Sequence, residues 1–176
     1  MNKIPFFTVI TASFNSEKTI DKTIESLLNQ NYTNFEYIII DGNSKDSTLE
    51  IIKSFEQKFK EKNITYKFIS EPDKGIYDAW NKGIKLSEGE WISFLGSDDL
   101  YFNDALLNYY EILQSRNDIN FICSKIEIVD ENWNKLKLYG EPFSKEKLNR
   151  KMSFAQVGAF HRRDLFTIVG NFDFNY

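Results

Sequence analysis

Asp98 and Asp99 are adjacent carboxylates at the point where the apolar run Trp91-Ile-Ser-Phe-Leu95 stops and Gly96-Ser97 turns the chain. Neighbouring carboxylates repel each other and are costly to bury. Such a pair is tolerated best at a strand end, where water, hydrogen-bond donors or a cation can neutralise it. In an α/β enzyme that is where a metal would be held. Ser-Asp-Asp ahead of a helix is also ordinary turn and N-cap chemistry, and from these residues alone both readings stand.

Three further polar clusters each follow an apolar run: Thr11-Ala-Ser-Phe-Asn15, Asp41-Gly-Asn-Ser-Lys-Asp46 and Glu71-Pro-Asp-Lys74. If those runs are parallel strands, all four clusters lie at carboxyl ends, where open parallel sheets bind ligands, and they converge on one crevice. A crevice this acidic suits a phosphate ligand only with a divalent cation between them. Magnesium-type sites commonly join one or two protein carboxylates to substrate phosphates, a number that Asp98 and Asp99 supply. Asp41, with Gly42 permitting a tight turn, is placed to accept hydrogen bonds from a base or ribose; a turn-forming Asp is the alternative. The chain has no Gly-x-x-x-x-Gly-Lys-Ser/Thr loop and no Gly-x-Gly-x-x-Gly after its first strand, where Ala12-Ser-Phe-Asn15 stands instead. ATPases of the first type and dinucleotide oxidoreductases of the second are therefore poor readings.

The elements that must position these clusters follow from hydrophobic periodicity. Phe6, Phe7, Val9 and Ile10 predict a first strand, Thr11 to Asn15 a loop, and Ile20, Ile24, Leu27 and Leu28 the inner face of a helix. Tyr37 to Ile40 predicts a second strand, and Ser47 with Glu50 has the spacing of a capping box, opening a helix with Ile52, Phe55 and Phe59 inward. Tyr66 to Ile69 leads into a helix carrying Ala79, Trp80 and Ile84, and Trp91 to Leu95 into one carrying Leu106, Leu107 and Tyr110. Four strand-to-helix units in succession predict a parallel sheet covered on both faces. Beyond residue 115 the pattern changes. Phe121-Ile-Cys, Lys125 to Val129 and Lys135 to Tyr139 read as antiparallel strands, followed by a short helical stretch from Lys145 and a last apolar run, Val157 to Phe160.

A chain of 176 residues, 41% apolar with 16 Phe and 9 Tyr, is one domain's worth of sequence with a sizeable core. A net charge of −4, with no separate Lys/Arg block, argues against nucleic-acid binding. No apolar run has the length of a signal peptide core or a membrane span, so a cytoplasmic chain is expected. Cys123 is the only cysteine and sits in an apolar run, which predicts a buried small residue and excludes an internal disulfide. Tyr77 and Trp80 are expected to pack, and His161, the only histidine, to serve structure or the acceptor side. The alternating aromatics of Gly170 to Tyr176 lack a polar fraying tail, which predicts a truncated C-terminus.

Taken together, the motifs resemble glycosyltransferase family 2, the nucleotide-sugar-dependent enzymes with the GT-A fold. The resemblance rests on Thr8 to Asn15; on Ser26-Leu-Leu-Asn-Gln30 before Tyr32 and Phe35-Glu36; and on Ile40-Asp-Gly-Asn-Ser-Lys-Asp-Ser-Thr48. It rests equally on Asp73-Lys-Gly-Ile-Tyr-Asp-Ala-Trp-Asn-Lys-Gly83 and on Gly89 to Asp99, five segments in order along nearly the whole chain. Gln156, Gly158 to Arg163 and Gly170 to Asp173 look like the acceptor-side segment of bacterial members that build surface polysaccharide or lipopolysaccharide. The implied fold is α/β: a Rossmann-like, mostly parallel central sheet with helices on both faces and a smaller antiparallel C-terminal part. It forms a single domain over 1–176, with a nucleotide-sugar-binding half at 1–115 and an acceptor-side half at 116–176.

By the same resemblance, Ala12, Ser13 and Asn15 lie along the nucleotide, Asp41 meets the base, and Ser44 and Asp46 border that pocket. Asp73 and Lys74 line the donor side, and Asp78 and Asn81, three apart on one helix face, lie toward the ribose and pyrophosphate. Asp98 and Asp99 look like the family's metal-binding motif for Mn2+ or Mg2+, with Asp99 the direct ligand and Gly96 standing where some members carry another Asp. The implied reaction is inverting transfer from a UDP- or GDP-sugar to a hydroxyl of a saccharide or lipid-linked saccharide. The chain would work in the cytoplasm or as a peripheral protein at the inner membrane face. The family's general base usually follows a Gly-x-Phe-Asp segment, so it is expected beyond Tyr176, with Asp173 the late candidate present. Two other readings compete: a truncated nucleotide-sugar-binding domain without its own transferase activity, and a metal-dependent nucleotidyltransferase.

Overall fold

The computed structural model describes residues 4–141 and 154–173. Its strands are β1 (Phe7–Ser13), β2 (Phe35–Asp41), β3 (Thr65–Ser70), β4 (Trp91–Phe94), β5 (Phe121–Cys123), β6 (Ile126–Val129), β7 (Lys135–Tyr139) and β8 (Ala159–Arg162). Its helices are α1 (Ile20–Leu28), α2 (Thr48–Ser54), α3 (Glu56–Glu61), α4 (Ile76–Leu86), α5 (Ala105–Leu113) and α6 (Leu165–Ile168). Strand order in the main sheet is β3-β2-β1-β4-β8-β5, with β6 and β7 forming a separate hairpin. The expected α/β architecture, a mostly parallel sheet with a small antiparallel part, is therefore present.

Alternation along β1 and β2 builds two cores, because successive side chains point to opposite faces. Phe7, Val9, Tyr37 and Ile39 join Ile24 and Leu27 of α1, Ile52 of α2, Phe59 of α3 and Leu106 of α5 on one face. Ile10, Ile38 and Ile40 join Ala79 of α4 on the other, with Trp80 and Ile84 packed alongside. Both strands are buried on both sides, which explains their near-continuous apolar sequence.

The structure differs from the sequence expectations in four places. Thr11 to Ser13 continue β1 instead of forming a loop, in register with Ile39, Ile40 and Asp41 of β2. The polar residues fit because Thr11 Oγ1 accepts from the Tyr37 hydroxyl at 3.0 Å, satisfying both groups inside the core. The capping box is not made. Asp46 Oδ1 instead accepts from the Thr48 amide at 3.0 Å, and Ser47 makes no side-chain cap bond. β5 does not pair with β6; it joins the edge of the main sheet beside β8, which runs antiparallel between β4 and β5. Last, Cys123 is half-buried, not buried. The helical stretch expected from Lys145 lies outside the described residues.

Candidate active site

β1 lies between β2 and β4, so the chain leaves its carboxyl end toward neighbours on both sides, the topological switch point at which open sheets bind ligands. Direct contacts bring the four polar clusters together there. Ser16 Oγ lies 2.9 Å from Ser97 Oγ, joining the loop after β1 to the turn carrying the Asp pair. The Ser16 amide donates to Thr48 Oγ1 at 2.7 Å, and the Asn15 amide to Ser44 Oγ at 2.8 Å. Asn15 Oδ1 accepts from the Lys45 amide at 2.9 Å, which stabilises its left-handed backbone (φ 49°). Asp73 closes the set from β3: its Oδ2 would stand 2.8 Å from a Cβ at Gly42, so a side chain there would push the Asp73 carboxylate aside.

Asp41 is fully buried and acts as a hub between segments. It accepts from Ser13 Oγ at 3.4 Å, the Ser44 amide at 3.1 Å, Ser70 Oγ at 2.6 Å and, more closely still, Ser44 Oγ. These donors occupy both oxygens, so Asp41 shapes the pocket from beneath and Ser44 presents the surface. Ser13 is buried with it, while Ala12 is half-buried at the strand end. Asp46 is pushed up by burial, but donors from Thr48 and from the Glu17 amide outweigh this and leave its carboxyl below the ordinary range.

Around α4, Asp78 accepts from the Lys74 amide at 3.0 Å and lies 3.7 Å from Lys82 Nζ, so it caps the helix entrance. Asn81 Nδ2 donates to the Phe172 carbonyl at 2.8 Å and Asn81 Oδ1 accepts from the Phe172 amide at 3.0 Å. That double clasp ties the segment before Asp173 to α4 and occupies the amide expected near the ribose. Tyr77 stacks on Phe172 with centroids 5.5 Å apart and Trp80 packs on Phe94 at 4.7 Å, the packing roles expected for both.

The Asp pair curls back over Gly96. A Cβ at that position would stand 2.6 Å from Asp99 Oδ2 and 3.0 Å from Asp98 Oδ1, so both carboxylates converge on space that the glycine leaves open. Burial first, and then the charge of Asp98, raises the Asp99 pKa above the ordinary carboxylate range. Among the described residues no Lys or Arg is ion-paired with either carboxylate. A crowded pair, Asp99 half-buried and Asp98 exposed, without a protein cation fits a divalent ion that completes its shell with ligand oxygens and water. Among the described residues no group of three or more His, Cys, Asp or Glu could by itself hold a metal, so the pair would need those added oxygens.

His161 lies on the far side of β4, packed against Phe121 at 5.0 Å and Phe166 at 5.9 Å, with Gln156 Nε2 at 3.2 Å from its Nε2. Burial pulls its pKa down to about 4, so it is neutral at physiological pH. A folded pKa below the unfolded value of ~6.5 contributes stability that is present above that value and lost as pH falls toward 4. Between pH 7 and pH 4 the wild type is expected to lose roughly 3 kcal/mol more than His161→Phe, measured by denaturant unfolding. Equal losses would show that the ring protonates freely in the fold.

A family model described as "Glycosyl transferase family 2" matches residues 8–166. The chain is 28% identical over 173 residues to a PGL/p-HBAD biosynthesis glycosyltransferase of Mycobacterium tuberculosis, an alignment covering 98% of this chain and 65% of that protein. Among solved structures, it is similar to S. aureus TarS 1–349 in complex with UDP, with a TM-score of 0.75 and 24% identity over 96% of this chain and 50% of that one. It is also similar to the mannosyltransferase PcManGT from Pyrobaculum calidifontis in complex with GDP-Man and Mn2+, with a TM-score of 0.73 and 16% identity over 99% of this chain and 49% of that one. The chain thus spans about 65% of the length of the mycobacterial relative it matches.

Proposed function

The chain belongs to glycosyltransferase family 2 and carries the GT-A fold, and on that premise we propose that it transfers a sugar from a nucleoside diphosphate donor to an acceptor hydroxyl with inversion. The observation that carries this reading is the Asp98/Asp99 pair, folded over Gly96 at the sheet's switch point and joined to the loop after β1 through Ser97 and Ser16. Asp99, with Asp98 beside it, would hold Mn2+ or Mg2+; when bound, that ion stabilises negative charge growing on the leaving diphosphate.

The chain's own residues do the rest. Asn15 and Ser44 border the base and ribose, supported from beneath by Asp41, with Asp46 fixing the start of α2 beside them. Asp73, Lys74 and Asp78 edge the donor side where β3 gives way to α4. Transfer to a hydroxyl calls for a general base to take the acceptor proton, a role that a carboxylate would fill here. Asp173, next to the Phe172 clasp, is the late candidate for that role among the described residues.

UDP- or GDP-sugars are the proposed donors, and a saccharide or lipid-linked saccharide of surface-polysaccharide assembly the acceptor, at the cytoplasmic membrane face. The UDP and GDP-Man complexes of the two structural neighbours and the name of the mycobacterial relative, a PGL/p-HBAD biosynthesis glycosyltransferase, support that choice. Among the described residues no helix is long and apolar enough to cross a membrane.

Titration calorimetry tests the reading. Mn2+ should tighten binding of UDP or GDP by about ten-fold or more, as expected when an ion bridges two carboxylates and a diphosphate. Affinity for both nucleotides that ignores Mn2+ and Mg2+ would sink the metal-diphosphate proposal. Sugar transfer by a longer chain, but not by these 176 residues, would favour a binding-only role for this part.

A further inference from the structure

The motif Ser26-Leu-Leu-Asn-Gln30, with Asn31 after it, supplies no residue to the donor crevice described above. Its polar groups are spent elsewhere. Gln30 stands two residues past the end of α1 and is 4% exposed. Its Nε2 donates to the Ser26 and Phe102 carbonyls, each at 2.9 Å, and its Oε1 accepts from the Leu106 amide at 3.1 Å. One buried amide thereby satisfies three backbone groups, one in α1 and two in the segment that runs from the Asp pair into α5.

α5 depends on that side chain. The first amides of a helix have no partner within it, and Asp104 at the N-cap makes no side-chain cap bond. Gln30 caps α5 from outside, through the amide of its second residue. Asp104 is engaged by Asn31 Nδ2, and the Asn31 amide donates to the Asn103 carbonyl at 2.9 Å. Ser26 Oγ accepts from the Tyr101 amide at 3.2 Å, and the Tyr101 hydroxyl lies 2.6 Å from Ser93 Oγ of β4. The other end of the same turn is tied to the start of α1. Ser97 meets Ser16, whose carbonyl accepts from the amides of Thr19 and Ile20 at 3.0 Å each. Asp98 and Asp99 therefore sit on an arch whose two feet are fixed to the two ends of one helix.

We propose that Gln30 is a positioning residue for the metal–diphosphate site: by clamping Phe102 and Leu106 it sets where Asp98 and Asp99 stand, without touching the ligand itself. The inference rests on the metal-diphosphate reading above. A helix holds its ends at a fixed separation, so an arch pinned to both can keep its carboxylates within the roughly 0.5 Å that a functional constellation requires. Gln30 is buried and its amide is fully engaged, so any effect on the ion must pass through the pair. A Gln30 that served only to cap α5 would lower the melting temperature when lost and leave the metal response of the folded protein as it was.

Titration calorimetry on the whole chain separates the two roles. It uses whichever of UDP and GDP the wild type binds more tightly, with and without Mn2+, below the melting temperature of each variant. Gln30→Met keeps the length of the side chain and removes both its donor and its acceptor. It should weaken Mn2+-supported affinity by about ten-fold, the lower end of the losses that follow when outer partners of metal ligands are removed, and leave metal-free affinity within about two-fold. In an Asp99→Asn background the same change should cost less than about two-fold more, because the ion through which Gln30 acts is no longer held. Ser26→Ala, which removes the acceptor of the Tyr101 amide, is the gentler variant if Gln30→Met does not fold, and should weaken Mn2+-supported affinity by about three-fold. Mn2+-supported affinity equal to wild type in the folded variant, or a loss as large in the Asp99→Asn background as outside it, would overturn the inference and leave Gln30 a structural cap. A wild type that binds neither nucleotide, or binds without regard to Mn2+, would bring down the metal reading and the inference with it.

Discussion

Replacing Asp99 with asparagine is expected to remove the metal-dependent part of UDP or GDP binding, weakening Mn2+-supported affinity by about ten-fold or more, within the range of about 10–100-fold lost even for residues that only orient metal ligands. Metal-free affinity should change little, because the loops carrying Asn15 and Ser44 are untouched. The same substitution should make the metal-free protein more stable. Burial, and then the charge of Asp98, holds the Asp99 pKa above its unfolded value. A raised carboxyl pKa contributes stability that is complete below the unfolded pKa and lost as pH rises through the folded one, so at pH 7 the ionised Asp99 is a cost. Asparagine keeps the shape and removes the charge. Calorimetry with and without Mn2+, paired with melting curves at pH 7, reads both effects; unchanged Mn2+-supported binding would remove Asp99 from the metal site. Asp98 is exposed, so Asp98→Asn should relieve less strain, with its stability gain coming through the lowered pKa of Asp99.

The opposition of function and stability at Asp99 explains why the pair could be found from sequence while other site residues changed character in three dimensions. Adjacent carboxylates at a strand end are a local conflict, visible without knowing the fold. The four βα units were equally visible, because β1, β2 and β4 are long apolar runs buried on both faces. Asp41 and Asn81 were different. Ser44 is a local partner of Asp41, but Ser13 and Ser70 are 28 and 29 residues from it and Phe172 is 91 from Asn81, so the sequence around them does not show how fully their polar atoms are occupied. The same holds for β8. Its four residues include His161 and Arg162, which lack a strand's usual apolar signature, and only pairing with β4 and β5 defines it. Gly96 shows the reverse dependence: the missing side chain has meaning only once the two carboxylates are seen to occupy its space.

The largest loss of stability is expected at the opposite end of the sheet, at Glu36. Its side chain is fully buried near the amino end of β2, where Oε1 accepts from Thr8 Oγ1 at 2.7 Å and the Gly89 amide at 3.0 Å. Oε2 pairs with Lys67 Nζ at 2.9 Å, and Lys67 also reaches Glu88 at 3.0 Å. Burial pulls the Lys67 pKa down, but the two carboxylates outweigh it and hold the ammonium above its ordinary range. Glu36 thus binds β1, β3 and the turn before β4 to β2, and its removal takes the shared acceptor from the Thr8 hydroxyl and the Gly89 amide and leaves Lys67 with Glu88 and the Leu86 carbonyl. Breaking a buried charge pair from one side costs about 3–5 kcal/mol, so Glu36→Ala should lower the urea midpoint by about 2 M. Glu36→Gln keeps one acceptor for Thr8 and Gly89 but turns an amide toward Lys67, and should lose about 1–3 kcal/mol. Because Glu36 pairs with Thr65 at the start of β3 while the crevice lies at the Asp41 end, the folded fraction of either variant should bind nucleotide as wild type does. A stability loss below 1 kcal/mol for Glu36→Ala would mean that water replaces the carboxylate at no cost, and the buried hub would then have no structural role.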